Sequence, residues 1–327
     1  MSMSMSMSLL ENIIGQSAGN FQTFGILYKN TNIISKFATN VTHLKGSSET
    51  LRGKSPLQHY IYRKPQNEFE WGSYLAGLFE GDGHLSTQYQ IVISFNYNDK
   101  YLASTLSQQF QWGNVYKVKD KLAYNWIICK TFEVNSFLKL INGHIRTFSK
   151  LNQINTRIKD QLSGFCFQTE ISTSFILQSW WLAGLSDADG CFYIQFVNKK
   201  EVAQTTSPRF HFKISLKERT ILDQLKEAIG SNVFTRTHPN GKITYYWSST
   251  SIQNAYKVDK YFNRYSLLSS KFFNYLKWRK CLLYWQNRYV TLSAHYKYQN
   301  RGVFVKDNTM VAIQRIKYIK SKMNSGK

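Results

Sequence analysis

The sequence predicts an α/β (α+β) fold of two pseudosymmetric αββαββα halves, with antiparallel sheets packed together through one helix from each half. Three observations predict it. A nine-residue stretch occurs twice, as Leu-Ala-Gly-Leu-Phe-Glu-Gly-Asp-Gly over 75–83 and Leu-Ala-Gly-Leu-Ser-Asp-Ala-Asp-Gly over 182–190, so that Asp82 and Asp189 stand 107 positions apart. Duplication at this spacing signals two similar units sharing one centre. Within each stretch small residues recur four apart, Gly77 with Gly81 and Gly184 with Ala188, and so share a helix face on which two backbones can close up. Downstream of each copy, alternating and helical patterns follow one another in the same order.

Residues 1–66 read as an N-terminal extension, disordered or loosely docked. They open on a Met-Ser repeat, continue rich in Gly, Ser, Thr and Asn without clean periodicity, and make a weak transit peptide because early arginine is scarce. The first half, 67–162, begins with Asn67 as N-cap and Glu70 three residues later, a capping-box pattern. The helix of the second half, 179–327, starts at Ser174 or Ser179. Gly83 and Gly190 stand where a glycine allows a left-handed helix exit. Leu75, Leu78, Leu182 and Leu185 seal the flanks of the small-residue face.

After the first motif, residues 90–97 read as a strand and 99–110 as a helix with Leu102, Leu106 and Phe110 at period four. Val115–Lys119 and Ala123–Cys129 form a hairpin, and 131–142 and about 148–162 are helices. Residues 163–178 serve as a linker. In the second half Phe192, Ile194 and Phe196 alternate with Tyr193 and Gln195, and Phe210, Phe212, Ile214 and Leu216 alternate with Arg209, His211, Lys213 and Ser215. Helix 218–229, strands near 232–237 and 242–249 around Pro239-Asn-Gly241, and helices near 251–262 and 268–286 close the unit.

The chain has 327 residues and a formal charge of +23, a field that attracts polyanions; an evenly spread organellar or ribosome-associated basic protein is the alternative. Aromatic residues make up 16%, which excludes a disordered basic tail. Cys129, Cys166, Cys191 and Cys281 have no paired or zinc-ligand spacing and read as reduced, mostly buried thiols. No apolar run reaches transmembrane length, and the absence of a Walker A loop argues against NTP use. His84, beside the first motif, reads as a strand-end histidine.

Each motif helix ends almost on its aspartate. A carboxylate at the carbonyl end of a helix is disfavoured by up to about 1 kcal/mol, and two side by side repel further. Such a site calls for hard divalent cations held by oxygen, and two of them can stabilise the attacking and leaving oxygens of phosphodiester hydrolysis.

The two stretches resemble the signature of the LAGLIDADG homing endonucleases in their single-chain, two-motif form, over about residues 67 to 321. The resemblance implies saddle-shaped sheets, Mg²⁺ bound by Asp82 and Asp189, and the carbonyls of Gly81 and Ala188 facing the metals. Glu80 and Asp187 are then structural, and Ser186 is a polar departure at an often apolar position. It also implies a basic catalytic residue in each half: Lys271 in 265–275, and in the first half Lys150, with Arg146 as the alternative. Outward strand residues Arg209, His211, Lys213 and Arg236, with Lys117 and Lys119 in the first half, would bind DNA in the major groove or be merely solvated.

The function that follows is a site-specific double-strand DNA endonuclease of intron homing, leaving short 3′ overhangs at a long pseudo-palindromic intron insertion site. An RNA maturase assisting a group I intron, with the host intron RNA as partner, is the alternative. Retention of both acids argues against a pure maturase or a silent DNA-binding regulator. A monomer without membrane association is expected, in the mitochondrion or alternatively the chloroplast, where family members are often encoded inside introns.

Overall fold

A computed structural model describes residues 60–158, 165–198, 206–291 and 305–323. The chain divides into units Met1–Lys54 and Ser55–Lys327, and every described residue belongs to the second.

Helix α1 (Glu68–Asp82) starts as its sequence requires: Asn67 Oδ1 accepts from the Glu70 amide at 2.9 Å. The reciprocal bond closes one residue earlier than a standard box, from the Gln66 amide to Glu70 Oε2 at 2.7 Å. Helix α5 (Trp181–Asp189) starts at neither expected serine; Trp180 is its N-cap, and Ser179 Oγ accepts from the Trp181 amide at 3.4 Å.

The expected left-handed exits are absent. Gly83 has φ −101° and Gly190 φ −74°, conformations open to any residue. Glycine is required there by proximity: a Cβ would lie 2.8 Å from the Phe79 carbonyl oxygen at Gly83 and 2.7 Å from that of Ser186 at Gly190.

After α1 come β1 (Gly83–Leu85), β2 (Ile91–Asn96), a 3-10 turn over Tyr97–Asp99, α2 (Lys100–Phe110), β3 (Asn114–Lys117), β4 (Ala123–Ile128), α3 (Thr131–Ile141) and α4 (Phe148–Ile158). After α5 come β5 (Cys191–Asn198), β6 (Thr206–Leu216), α6 (Thr220–Ile229), β7 (Val233–Thr237), β8 (Ile243–Ser248), α7 (Ile252–Arg264) and α8 (Lys271–Gln286). The antiparallel sheets have matching orders, β1-β2-β4-β3 and β5-β6-β8-β7. Each carries a buried tryptophan on its third strand, Trp126 or Trp247, whose indole N–H donates at 2.7 Å to the carbonyl of Trp112 or Gly230.

Helices α1 and α5 form the centre. A Cβ on Gly77 would lie 2.0 Å from the Trp181 carbonyl oxygen, and one on Gly184 would lie 2.0 Å from that of Tyr74. No side chain fits in either place. The flanking Leu75, Leu78, Leu182 and Leu185 are all buried.

Three further elements lie beyond the helix expected to close the chain: β9 (Tyr289–Thr291), β10 (Val305–Asp307) and α9 (Thr309–Ser321). Helix α9 buries Ala312, Ile313 and Ile316 and packs against α8. The cysteines depart from expectation: Cys281 is buried, whereas Cys129, Cys166 and Cys191 are exposed. Cys129 lies just past β4 and Cys191 opens β5 on its solvent-facing register, where a small thiol needs no cover.

Residues 60–66, inside the stretch expected to be an extension, pack on the second half. The Tyr60 ring lies 5.4 Å from that of Phe272 and 5.8 Å from that of Tyr275, and the Arg63 amide donates to Ser266 Oγ at 2.9 Å. Residues 1–59 lie outside the described residues. The linker is held to the first half by Gln168, whose side chain accepts from the Ile145 amide and donates to the Ile145 carbonyl.

Candidate active site

The motif acids divide into two pairs by what surrounds them. Glu80 and Asp187 are 6% exposed and act as crosslinks. Glu80 Oε1 accepts from the amides of Arg146 (2.8 Å) and Thr147 (2.6 Å) and from Thr147 Oγ1 (2.7 Å), fixing the turn that starts α4. Asp187 does the same before α8, accepting from the amides of Leu268 (2.8 Å) and Ser269 (3.2 Å) and from Ser269 Oγ. Each then reaches across the centre: Tyr74 of α1 donates to Asp187 at 2.7 Å, and Trp181 of α5 donates its indole N–H to Glu80. Burial raises Glu80 to about 7 and Asp187 to about 6, against the hydrogen bonds that lower both.

Asp82 and Asp189 end their helices side by side. Asp189 Oδ2 lies 3.3 Å from where a Cβ on Gly81 would stand. Burial and the Asp189 charge lift the Asp82 carboxyl to about 6, opposed by Lys271 and Lys150. Asp189 is also raised by burial, with Lys271, Lys150 and Lys217 opposing. The two are not equivalent, because Asp99 lies on the Asp82 side and Lys217 on the Asp189 side.

Both chosen lysines approach this centre. Lys150 Nζ donates to the Gly83 carbonyl and sits 5.3 Å from the Phe79 ring. Lys271 Nζ donates to the carbonyls of Ala188 and Ser186. Arg146 is 1% exposed and spent elsewhere: its guanidinium donates to the Ser174 carbonyl (2.7 Å), Ser174 Oγ (2.6 Å) and Gln224 Oε1 (3.3 Å), and lies over Trp181. Lys150 is therefore the first-half lysine at the carboxylates.

Two features escaped the sequence reading. Lys217, just past β6, depresses the pKa of Asp189 and Lys150; nothing marked it among 42 basic residues. Two loop carboxylates cap the other half's helix: Asp99 accepts from the Ser270 amide at 2.6 Å, and Glu218 from the amides of Phe148 and Ser149, both at 2.9 Å. The bland signal was an acid just before each of α2 and α6.

Among the described residues no group of three His, Cys, Asp or Glu forms a cage. The donor set is instead two coupled carboxylates plus helix-end carbonyls, all hard oxygen, with an ammonium now on one of those carbonyls. That set fits a hydrated divalent cation, which keeps several waters and takes one or two carboxylates.

The LAGLIDADG endonuclease family model matches residues 182–282. An uncharacterised 37.2 kDa protein of cox1 intron 2 in Schizosaccharomyces pombe is 38% identical over 260 residues, 76% of this chain and 79% of that one. This chain belongs to the LAGLIDADG endonuclease family. The intron-encoded DNA endonuclease aI3 of Saccharomyces cerevisiae is 27% identical over 278 residues, spanning 69% of this chain and 66% of its own length. The LAGLIDADG homing endonuclease I-LtrWI, solved bound to target DNA, shares the fold with TM-score 0.56 and 15% identity, over 80% of this chain and all of that one.

The sheets of this LAGLIDADG chain sort the remaining expected residues. Arg209, His211 and Lys213 pair with Gln195, Tyr193 and Cys191, and Arg236 pairs with Thr244; all four are on the face away from the helices. Arg209 and Arg236 are exposed. His211 is 6% exposed, its ring stacked on Tyr193 at 4.5 Å and its Nδ1 3.0 Å from Ser248 Oγ. It supports Tyr193 and presents no ring edge. Lys117 pairs with Tyr124, in the register of buried Trp126, so it lies on the helix side of edge strand β3. Lys119 is in the turn beyond it. Lys117 thus departs from the expected outward face, and as a lysine on an edge strand it stays solvated all the same.

Proposed function

We propose that this LAGLIDADG endonuclease cuts both strands of one long, pseudo-palindromic DNA site at an intron insertion point. The observation that carries it is the convergence of Asp82 and Asp189 at adjoining helix ends, with Lys150 and Lys271 donating to carbonyls beside them.

The family uses divalent metal ions, and we assign Mg²⁺ to Asp82 and Asp189 with the carbonyls of Gly81 and Ala188. Bound there, the cation supplies an activated water and neutralises charge on the attacked phosphate. Asp82 and Asp189 hold and orient it, while Lys150 and Lys271 stabilise the charge that develops on phosphate oxygens. The sheets position the duplex largely through phosphate contacts, so binding weakens with salt. Because one chain carries both motif copies, a monomer completes the site.

The RNA maturase alternative is not favoured, since the relatives named for an activity are named endonucleases, aI3 among them a DNA endonuclease. Homologues come from mitochondrial introns of cox1 and ND4. This supports a mitochondrial location for the chain and gives none for the chloroplast alternative.

The test incubates purified protein and Mg²⁺ with a plasmid carrying its host gene without the intron. One metal-dependent double-strand break, lost in Asp82→Asn and in Asp189→Asn, is the expected result. A single variant cutting both strands at the wild-type rate overturns the metal assignment.

A further inference from the structure

The two sheets share one topology and register, yet their outward faces carry different chemistry. Trp126 and Trp247 are buried on equivalent strands, so the residues beside them set a common frame. In that frame the row Val92–Ile127–Asn114 of the first half corresponds to Lys213–Ser248 of the second. The next row, Ser94–Asn125–Tyr116, corresponds to Ser215–Tyr246–Phe234.

The first-half face is uncharged. Its outward positions on β2, β4 and β3 are Val92, Ser94, Asn96, Ala123, Asn125, Ile127, Asn114 and Tyr116. Ser94 Oγ donates to Asn125 Oδ1 at 3.0 Å, which fixes the plane of that amide. The second-half face is cationic and aromatic. Lys213 Nζ lies 4.3 Å from the Tyr246 ring centroid, Tyr246 stacks on Phe234 at 5.2 Å, and Arg209 and Arg236 flank them at the sheet's outer rows.

These side chains suit different base edges. Arginine and lysine pair with the O6 and N7 acceptors of guanine, asparagine with N6 and N7 of adenine, and small apolar groups with the thymine methyl. We propose that the target departs from palindromy in base composition, each half matched to the chemistry of the sheet that meets it. The second-half sheet takes a half-site containing G·C pairs, contacted by Arg209, Lys213 and Arg236. The first-half sheet takes an A·T-rich half-site, contacted by Asn125, Asn114 and Asn96, with Ile127 against a thymine methyl. The inference rests on the proposed DNA-binding function and assigns its specificity.

The test is a binding selection with the full chain, Ca²⁺ in place of Mg²⁺, and a pool of random duplexes, run for the wild type, Arg209→Ala and Asn125→Ala. All three proteins are first matched by circular dichroism and melting temperature. The wild type is expected to enrich one asymmetric sequence, G·C pairs in one half and A·T pairs in the other. Arg209→Ala should lose about tenfold of its preference in the G·C half alone, and Asn125→Ala a similar factor in the A·T half alone. Retained duplexes with two halves of equal composition overturn the inference while leaving DNA binding intact, as does either variant relaxing the opposite half. If no duplex is retained at low salt, the proposed function falls with it.

Discussion

The helix pair at the centre and the two sheet faces beside it have diverged to different degrees. At the centre the halves remain close copies: Gly77 answers Gly184, Tyr74 answers Trp181, and Glu80 answers Asp187 in reciprocal crosslinks. On the sheets Asn125 and Val92 of the first half stand where the second half has Tyr246 and Lys213. A site that must break two chemically identical strands constrains both copies alike. Reading two different stretches of bases constrains each copy differently. Divergence therefore tracks which part of the substrate a surface meets.

Breaking the symmetric centre should have the largest effect. In Asp82→Asn or Asp189→Asn, plasmid cleavage is expected to fall below detection, with duplex retention in a gel-shift assay unchanged. Gly77→Ala and Gly184→Ala drive a Cβ into backbone on the partner helix and should cost about 3 kcal/mol each by urea unfolding. Gly81→Ala would set its Cβ 2.3 Å from that of Ala188, which moves only with its backbone, and 3.3 Å from Asp189 Oδ2, so it should cost a similar amount and slow cleavage as well.

Lys217 sharpens the comparison, because the first half has Asn96 at the equivalent place, just beyond the shared strand register. Lys150→Met and Lys271→Met should each slow cutting about 100-fold. Lys217→Met should instead slow one strand more than the other, so that nicked plasmid accumulates. Equal slowing of both strands would show that Lys217 serves the site as a whole.

The smaller effect is on pH dependence. Asp82 is raised to about 6 in the folded chain, so its contribution is full below the unfolded carboxylate range near 4 and is lost as pH rises through about 6. Without metal, Asp82→Asn should be more stable than wild type by about 2 kcal/mol at pH 8, and equal to it near pH 4. Adding Ca²⁺ at pH 8 should stabilise the wild type and close that gap. A gap independent of pH would remove Asp82 as its source.

What was legible in the sequence was whatever repeats. The motif pair gave the helix packing and both central aspartates, and alternation with turn residues gave the strands of the two four-stranded sheets, though not β9 or β10. Asn67 announced its cap because capping is local. What stayed hidden depends on contacts between distant parts of the chain. The glycines after each motif looked like left-handed turns, and only the packed fold shows that they yield room to Phe79 and Ser186. Arg146 and Lys150 were interchangeable on paper; burial and Ser174 separate them. Lys117 shares the face of Val115, against the expectation that it points outward, and Lys217 had no pattern to obey. Helix α9 was missed because its apolar residues do not form one stripe: Ala312, Ile313 and Ile316 are buried, whereas Met310, Val311 and Tyr318 are exposed.

The seating of Tyr60 and Arg63 bears on how the chain is made. The Arg63 amide bonds to Ser266, 203 positions later, and the Tyr60 ring rests on Phe272 and Tyr275. At translation rates of about 5–20 residues per second, the segment leaves the ribosome roughly 10–40 seconds before its partners do. The first half can assemble in that interval, but this stretch must wait beside it, unattached, until α8 emerges. The molecule is thus fastened by its earliest-made described residues only after both motif helices have been made.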